Sequence, residues 1–589
     1  MKILVGLVFA SATSVAFALP HNYDLPHSCI DTGNLTSFQQ SKKAELEGRA
    51  LPMIKQLMKE GGQMAGLFAI SYKGRELSNC AVGYADYDSA ERLAKGLPVL
   101  PLQANAAGRG ASLAKPITRA AVKKCVELGL CDYNENLMTA SGVKTWNGAV
   151  QPWHSQCTVR HAVEPVTTGC NIPLGNEGTD PDVSRLTGYN LPLSFANRLS
   201  YDTSSNTQRQ QLTSNLAYML LGVMIEKKTG RPYYDWVHEN ILAKAGISRE
   251  SLVQSLGTLQ LMGKDKDGKP MVVNGREPGE MSYDARNSSD NSISFATSYY
   301  DNKSVVRNPE AGTVENLHAA AGWTGTTDAW LRFASNYSDD GTYAPMKNGV
   351  YGLIVANGEF FGTASIMYRT PNGEYAFVLN FNRYSNVADG NLISTAAWLR
   401  MRAILDSTDL SSFTYDLWDV GTAATETVRS YKYEKVDVKG EVFRYFAASP
   451  QAVTVLDSLI ITNPNSGFAR TGESWKMWKV GTPGTVPVCR YFYPPASTHF
   501  WGKYEDCKLV QMIFPNQENY IDSFHFEEMT LAAKMVNTSG TCDAPTVPLY
   551  RGFRSVSGAQ NHQYVTTSNG INTAKGYSLE GIAFCVMAN

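Results

Sequence analysis

A serine and a lysine stand close together at the start of a predicted helix. Ser112 and Lys115 are three positions apart, and in a helix that spacing puts both side chains on one face, one turn apart. A serine hydroxyl is a weak nucleophile that needs a neighbouring base. A lysine amine can serve as that base when burial or a second cation lowers its pKa. The pair therefore predicts a nucleophilic serine activated by a lysine.

The residues that follow indicate where this helix begins and ends. Pro116 is tolerated in a first helical turn, where its missing N–H is not needed. The apolar pattern continues to Leu128, and Gly129 is a typical stop signal. Ser112 is therefore predicted at a helix N-terminus, where backbone N–H groups can stabilise an oxyanion.

Two other patterns show that the Ser-x-x-Lys spacing alone does not identify a catalytic serine. Ser141 and Lys144 have the same spacing, but no good helix follows them, and we predict a loop there. Residues 110–114 half-match a nucleophile elbow, yet its last glycine is missing and residues 103–107 do not predict a buried strand before it. The motif is thus a hypothesis that depends on its context.

The run from Ser112 to Gly129 resembles the serine β-lactamase and penicillin-binding-protein superfamily, and more narrowly its class C β-lactamase-related esterases and D-peptidases. Later stretches resemble the same superfamily in the same order, at residues 158–169, 215–230 and 320–328. The resemblance spans roughly residues 45 to 405. It implies an α+β fold of the β-lactamase/transpeptidase type, with an antiparallel sheet flanked by helices and a helical subdomain.

The superfamily's second motif, Tyr-x-Asn or Ser-x-Asn, corresponds here to Thr213-Ser214-Asn215. The resemblance implies that Asn215 hydrogen-bonds the substrate amide or Lys115, while the alternative is a plain N-cap of the next helix. Thr213 keeps a hydroxyl that can pass a proton to a leaving group. It lacks the acidity of a phenol, so it cannot replace a tyrosinate base.

The third motif, Lys-Thr-Gly or His-x-Gly on an edge strand, corresponds to Ala356-Asn357-Gly358, followed by Glu359. Ala356 stands where relatives carry a cation that binds a substrate carboxylate and helps to keep the lysine neutral. Its absence argues against classical β-lactams and D-Ala-D-Ala peptides as good substrates. The backbone N–H of Glu359 is still expected to complete an oxyanion hole with that of Ser112, since backbone donors do not depend on side-chain identity.

Composition and the N-terminus indicate an exported protein. The chain has 589 residues and a net charge of −1, so nothing points to nucleic acid as a partner. Residues 1–18 are predicted to be a signal peptide, with a charged Lys2, an apolar core at 3–10 and a small-x-small cleavage site at 16–18. No later run approaches membrane-spanning length. We therefore expect a secreted or periplasmic protein without a transmembrane segment.

Ten cysteines fit an oxidising compartment. Six lie before residue 171 and four after residue 488, so each part is expected to close its own disulfides. Cys157–Cys170 and Cys489–Cys507 are the pairs we predict. No Cys-x-x-Cys or His-x-x-x-His pair occurs, and neither a metal site nor a cofactor is predicted.

Several local signals predict further elements. Residues 67–77 predict a hairpin that enters the sheet, and strands at 364–369 and 375–381 flank an Asn-Gly turn, which is a strong hairpin signal. A helix is predicted over 392–405. Residues 442–446, 488–492 and 549–553 share one aromatic pattern and indicate an internal repeat.

We therefore predict a polar lead-in at 19–45, a β-lactamase-like hydrolase domain at 46–405, a connector at 406–436 and a small all-β triple-repeat domain at 437–589. The repeat resembles an uncharacterised domain that is appended to secreted hydrolases. Its aromatic residues are expected to form a core, and the alternative is a platform for a carbohydrate or cell-surface ligand.

Two functions of different class follow. The first is an exported serine hydrolase that cleaves a small ester, amide or peptide through an acyl-enzyme at Ser112, with slow deacylation. The second is a catalytically weak or inactive penicillin-binding-like protein, in which the altered second and third motifs no longer support turnover.

Overall fold

The computed structural model of the chain describes most of both predicted domains, but neither the predicted signal peptide nor Thr213. The described residues are 25–30, 35–85, 89–96, 99–142, 157–163, 215–255, 260–264, 270–273, 279–283, 295–297, 304–306, 319–346, 351–360, 362–411, 413, 427–436, 442–447, 453, 456–457, 460, 468–479, 482, 484–493, 498–513, 525–556 and 559–587. None of the helices among these residues is long and apolar enough to cross a membrane.

The elements are numbered in chain order. The helices are α1 (Ser37–Gly61), α2 (Ser89–Ala94), α3 (Ala114–Glu127), α4 (Leu137–Ser141), α5 (Val159–Val163), α6 (Asn215–Thr229), α7 (Tyr233–Val237), α8 (Thr327–Asn336), α9 (Ile393–Asp406) and α10 (Tyr504–Ile513). The strands are β1 (His27–Cys29), β2 (Ala65–Tyr72), β3 (Arg75–Gly83), β4 (Ala107–Arg109), β5 (Leu252–Gln254), β6 (Gln260–Lys264), β7 (Pro270–Val273), β8 (Phe295–Thr297), β9 (Ser304–Val306), β10 (Trp323–Thr326), β11 (Ile354–Phe360), β12 (Thr363–Arg369), β13 (Tyr375–Phe381), β14 (Thr427–Val436), β15 (Val442–Ala447), β16 (Phe468–Lys479), β17 (Val486–Tyr493), β18 (Thr498–Lys503), β19 (His525–Ala533), β20 (Thr546–Val556), β21 (Ala559–Val565) and β22 (Ser578–Met587).

A six-stranded antiparallel sheet organises the first part of the chain, in the order β1-β3-β2-β13-β12-β11. Every residue of β2, β12 and β13 is buried, because helices cover both faces of the sheet. Alternate residues of these strands pack on α1 and α9 on one face. The other residues pack on α8 and on the helices α3 to α7. The predicted α+β architecture is confirmed.

The local signals in this sheet are also confirmed. The predicted first hairpin is β2–β3, and the Asn-Gly hairpin is β12–β13. The predicted late helix is α9. The strand that carries the third motif, β11, lies at the edge of the sheet and pairs with β12.

The predicted lead-in and the predicted connector both contain secondary-structure elements. Within the lead-in, β1 pairs with β3, and α1 begins at Ser37 behind a capping box formed by Thr36 and Gln39. Within the connector, β14 pairs with β15 and β16. Both strands lack a clear signal of their own because their partners, which lie elsewhere in the chain, supply the ladder that defines them.

The C-terminal part is built on a nine-stranded antiparallel sheet, β14 to β22. This confirms the all-β prediction, and the helix α10 accompanies the strands. Two of the predicted repeat units form equivalent hairpins, β17–β18 and β20–β21. In each hairpin a phenylalanine faces a histidine across the strands, with ring centroids 5.2 Å apart for Phe492 and His499 and 5.3 Å apart for Phe553 and His562.

Aromatic side chains fill the interior of this sheet. Trp475, Trp501 and Tyr564 are buried in one apolar cluster with Phe584. The Tyr564 hydroxyl donates to the Trp501 carbonyl at 2.6 Å, which satisfies its polar end inside the core. The structure therefore favours a core role for these rings.

The disulfides join cysteines of the same part of the chain, as expected. The predicted Cys489–Cys507 bond is confirmed. The structure adds Cys29–Cys80, Cys125–Cys131 and Cys542–Cys585. The predicted Cys157–Cys170 pair cannot be placed in the same way, because Cys170 lies outside the described residues.

Candidate active site

The predicted nucleophile and base are in contact. Lys115 Nζ donates a hydrogen bond to Ser112 Oγ at 2.7 Å. Ser112 lies in a single 3-10 turn, Ala111–Leu113, which leads directly into α3. Residues 110–113 are called the nucleophile turn below. The two side chains meet although Ser112 lies in the 3-10 turn and Lys115 lies in α3.

Lys115 is held inside the protein, whereas the nucleophile is half-exposed. Only 8% of Lys115 is accessible to solvent. Lys115 Nζ also donates to the carbonyl of Ala320 at 3.2 Å and lies 5.7 Å from the centroid of the Tyr218 ring. A buried amine beside a half-exposed hydroxyl is the arrangement that a lysine base and a serine nucleophile require.

A short strand precedes the nucleophile turn, contrary to expectation. All three residues of β4 are buried, and β4 pairs with β10. A strand of this length has no recognisable pattern of its own, because β10, which lies more than 200 residues later in the chain, defines it. The local order is therefore strand, tight turn and helix.

The nucleophile turn has a strained backbone and packs tightly against a buried tryptophan. Ala111 has a φ of +47°, in the left-handed region that a residue with a Cβ rarely adopts. The Leu113 N–H closes the turn on the Gly110 carbonyl at 3.0 Å. A Cβ on Gly110 would lie 2.2 Å from the buried Trp330 ring, so only glycine fits there.

Strand β11, which carries the third motif, lies against the nucleophile turn with no room for a side chain between the two backbones. A Cβ on Gly358 would lie 2.0 Å from the Gly110 carbonyl oxygen. Ala356 is buried in the same apolar cluster as Leu113. Asn357 is exposed, and the Glu359 carboxylate accepts a 2.6 Å hydrogen bond from Ser394, on the helix that covers the other face of the sheet.

This geometry brings the strand of Gly358 and Glu359 next to Ser112, as the predicted oxyanion hole requires. The Glu359 side chain is engaged by α9, so any contribution of this residue to the site would come from its backbone. That role remains a prediction.

The second motif is placed only in part. Asn215 is the first residue of α6, where it is half-buried, and α6 packs against α3. Thr213 lies outside the described residues. The proposed contact of Asn215 with substrate or with Lys115 therefore remains a prediction.

Two tyrosines that sequence reasoning did not single out pack against α3. The Tyr218 hydroxyl accepts from Arg119 Nε at 2.7 Å, and the Tyr233 hydroxyl is 2.7 Å from Thr118 Oγ1. Burial raises the pKa of both phenols. A signal existed for one of these contacts, because Arg119 follows Lys115 by four positions and so shares its helix face.

A buried ion pair anchors the strand before the turn, and no local signal predicts it. Arg109 Nε donates to Glu280 Oε1 at 2.8 Å, and both side chains are fully buried. The Tyr283 hydroxyl donates to the same carboxylate at 2.7 Å and accepts from the Arg109 N–H at 2.9 Å. Burial, with the adjacent carboxylate, raises the pKa of Tyr283 well above its usual range.

Ser141, the serine of the second Ser-x-x-Lys pattern, is buried and hydrogen-bonded within its own helix. The prediction of a loop at Ser141 is wrong, because Ser141 is the last residue of α4. Its side chain is fully buried, and its hydroxyl donates to the Leu137 carbonyl at 2.8 Å. This geometry favours Ser112 as the nucleophile.

Solved structures of hydrolases are similar to this chain. D-amino acid amidase from Ochrobactrum anthropi SV3 matches with 18% sequence identity and a TM-score of 0.42, over 62% of this chain and 99% of that chain. D-stereospecific amidohydrolase from Streptomyces sp. matches with 13% identity and a TM-score of 0.37, over 64% and 99%. Beta-lactamase/D-alanine carboxypeptidase from Yersinia pestis matches with 12% identity and a TM-score of 0.38, over 63% and 100%. No curated protein matches the chain.

Two family models match the sequence. Residues 455–587 match a domain of unknown function (DUF5648), which covers most of the C-terminal sheet. Residues 52–400 match the Beta-lactamase model, and this range contains the nucleophile turn, α6 and β11. By this match over more than half of its length, the chain belongs to the Beta-lactamase family.

Proposed function

We propose that this protein is an exported serine hydrolase that cleaves an ester or amide through an acyl-enzyme at Ser112. The observation that carries the proposal is the 2.7 Å contact between Lys115 Nζ and Ser112 Oγ at the start of α3. Lys115 is buried beside this hydroxyl, and a lysine held next to a serine is one arrangement that activates a serine nucleophile.

The reaction follows from these positions. Ser112 Oγ attacks the substrate carbonyl carbon while its proton passes to the neutral amine of Lys115. The resulting oxyanion is stabilised by the backbone N–H groups of Ser112 and Glu359. Lys115 returns the proton to the leaving group, the carbon–leaving-group bond breaks, and an ester of Ser112 remains for hydrolysis by water.

The substrate class follows from the third motif. Ala356 is buried and apolar, so this position offers no charge to a substrate carboxylate. A small ester or amide without a carboxylate beside the scissile bond fits this site better than a β-lactam. Kinetics on paired neutral and carboxylated esters of one acyl group test this, and a preference for the carboxylated ester would contradict it.

Slow deacylation is the finer part of the proposal. Thr213 stands at the position of the tyrosine on which class C relatives depend for this step. Tyr218 and Tyr233 do not replace that tyrosine, because burial raises their pKa and their hydroxyls are bonded to Arg119 and Thr118.

Burst kinetics on an activated ester test this step. We expect a burst followed by a slow steady state, and a faster steady state in Thr213→Tyr combined with Ala356→His. General acid–base assistance is typically worth about 10²–10⁴-fold, so the difference should be measurable. A wild-type protein with rapid turnover and no burst would contradict slow deacylation.

The second candidate function is a binding protein that does not turn over, and covalent labelling separates it from a hydrolase. A fluorophosphonate should label the peptide that contains Ser112, and Ser112→Ala should abolish both labelling and hydrolysis of a p-nitrophenyl ester. Ser141→Ala is the matched control and should change neither. A label on Ser141, or hydrolysis that survives Ser112→Ala, would refute the assignment.

Export and the domain boundaries belong to the same proposal. The disulfides are expected in an oxidising compartment, which supports a secreted or periplasmic protein. We propose a hydrolase domain at 46–405 and a repeat domain at 437–589. N-terminal sequencing of the mature protein tests export, and a start at Leu19 is the expected result.

A further inference from the structure

The nucleophile turn rests on polar side chains from the centre of the sheet. Asn380 Nδ2 and Thr363 Oγ1 donate to the Arg109 carbonyl at 2.9 and 3.2 Å. Ser365 Oγ donates to the next carbonyl, that of Gly110, at 2.8 Å. All three side chains are buried. Two consecutive carbonyls just before Ser112 are thus held by β12 and β13.

Ser365 also reaches the third-motif strand. Its hydroxyl lies 3.2 Å from the Gly358 carbonyl, so its one proton is shared between the nucleophile turn and β11. Ser365 and Gly358 are direct cross-strand partners. The Ser365 oxygen stands where a side chain on Gly358 would be, since a Cβ there would lie 2.3 Å from it.

The position of the Gly110 carbonyl determines where the Ser112 N–H points. The Gly110–Ala111 peptide unit is planar, so holding its carbonyl also holds its N–H. The next peptide unit carries the Ser112 N–H, and its direction then depends on the strained Ala111. A strained residue keeps its conformation only where its surroundings enforce it.

We propose that the Ser365 hydroxyl is a positioning residue for the oxyanion hole, fixing the nucleophile turn and β11 relative to each other. This inference rests on the proposed function, because the two N–H groups that it aligns are those of Ser112 and Glu359. Ser365 touches no reacting atom and acts only through the Gly110 and Gly358 carbonyls.

A matched pair of substrates tests this role. An oxoester and a thionoester of the same acyl group and leaving group differ only in the atom that enters the oxyanion hole, and sulfur is the poorer acceptor. In Ser365→Ala we expect kcat/KM for the oxoester to fall at least about tenfold, a fraction of the roughly 10²–10³-fold that one oxyanion donor supplies. The thionoester should lose less, so the oxo/thiono ratio should fall.

The matched control is Ser71→Ala. Ser71 is also a buried serine of the same sheet, on β2, and its hydroxyl is 3.1 Å from Ser335 Oγ. Its removal should leave the oxo/thiono ratio unchanged. Equal losses on both esters in Ser365→Ala, or an equal change of the ratio in Ser71→Ala, would overturn the proposal. If the alanine variant does not fold, Ser365→Cys can be used instead, because it keeps a weak donor. Its oxo/thiono ratio should fall below that of the wild type, and an unchanged ratio would overturn the proposal.

Hydrogen exchange tests the positioning role of Ser365 without relying on catalysis. The Leu113 N–H, which closes the nucleophile turn on the Gly110 carbonyl, should exchange faster in Ser365→Ala and at the wild-type rate in Ser71→Ala. Unchanged exchange in Ser365→Ala would refute the positioning role. A wild-type protein without Ser112-dependent hydrolysis would instead refute the proposed function, and exchange alone would then decide whether Ser365 holds the turn.

Discussion

Replacing Gly358 by alanine should disable the site through a single methyl group. The added Cβ would lie 2.0 Å from the Gly110 carbonyl oxygen and 3.0 Å from its carbonyl carbon. An unstrained carbon–oxygen contact is roughly 3.3 Å or longer, so β11 or the nucleophile turn must retreat by about 1.3 Å. The Cβ would also lie 2.3 Å from Ser365 Oγ, but the nearest obstacle is backbone, so rotation of a side chain cannot relieve it.

This displacement predicts losses of both activity and stability. A misplacement of about 1 Å in a catalytic constellation can cost about 10²-fold in rate. Overpacking of a well-packed interior typically costs about 1–3 kcal/mol. We therefore expect kcat/KM for Ser112-dependent hydrolysis of a p-nitrophenyl ester to fall about 10²-fold in Gly358→Ala, together with a lower urea midpoint.

Gly48→Ala is the matched control, because it makes the same chemical change where there is room. Gly48 lies inside α1, and a Cβ there would meet no atom within 4 Å. Alanine is favoured over glycine in a helix interior by roughly 0.5–1 kcal/mol, so this variant should be more stable and equally active. If Gly358→Ala kept wild-type kcat/KM and stability, the close approach of β11 to the nucleophile turn would be refuted.

Two further predictions concern stability. Arg109→Ala removes the cation from its buried ion pair with Glu280 and should lower the free energy of unfolding by about 3–5 kcal/mol in urea titrations. Arg402→Ala removes an exposed pair and should cost less than about 1 kcal/mol, and equal losses would contradict this reasoning. Burial, aided by Arg249, lowers the pKa of His238 to about 4, so the unfolded state gains a proton before the folded state as the pH falls below about 6.5. His238 should therefore contribute about 3 kcal/mol to the drop in the free energy of unfolding between pH 7 and pH 4. Urea titrations of His238→Gln should show a drop that is smaller by about this amount, whereas an unchanged drop would exclude this contribution.

Much of the site's local geometry was predictable from sequence because it depends on residues a few positions apart. Ser112 and Lys115 meet because a helix brings positions i and i+3 together. The Asn-Gly turn between β12 and β13 is equally local, since its two residues select the hairpin by their own backbone preferences. The edge position of β11 came from the resemblance to a family rather than from any local pattern.

Elements that depend on distant partners were missed or misplaced. β14 lay in a predicted connector, and its partners are β15 and β16. The start of α1 was missed for another reason, because the capping box of Thr36 and Gln39 is a local signal that the interpretation of residues 19–45 as a lead-in did not use. β4 escaped prediction because three residues are too few to show a period, and their ladder partner lies far along the chain. In β4 and β14 tertiary contacts override weak local preference.

The sequence by itself predicted the contact between Ser112 and Lys115, the helix that brings them together, and the main strands of the sheet around them. Only the tertiary structure decided what holds that pair in place. Ser365 meets Gly110 across 255 positions of the chain, and Glu280 meets Arg109 across 171. Such contacts leave no periodic trace, because they arise from the register of paired strands and from close packing rather than from local backbone preference.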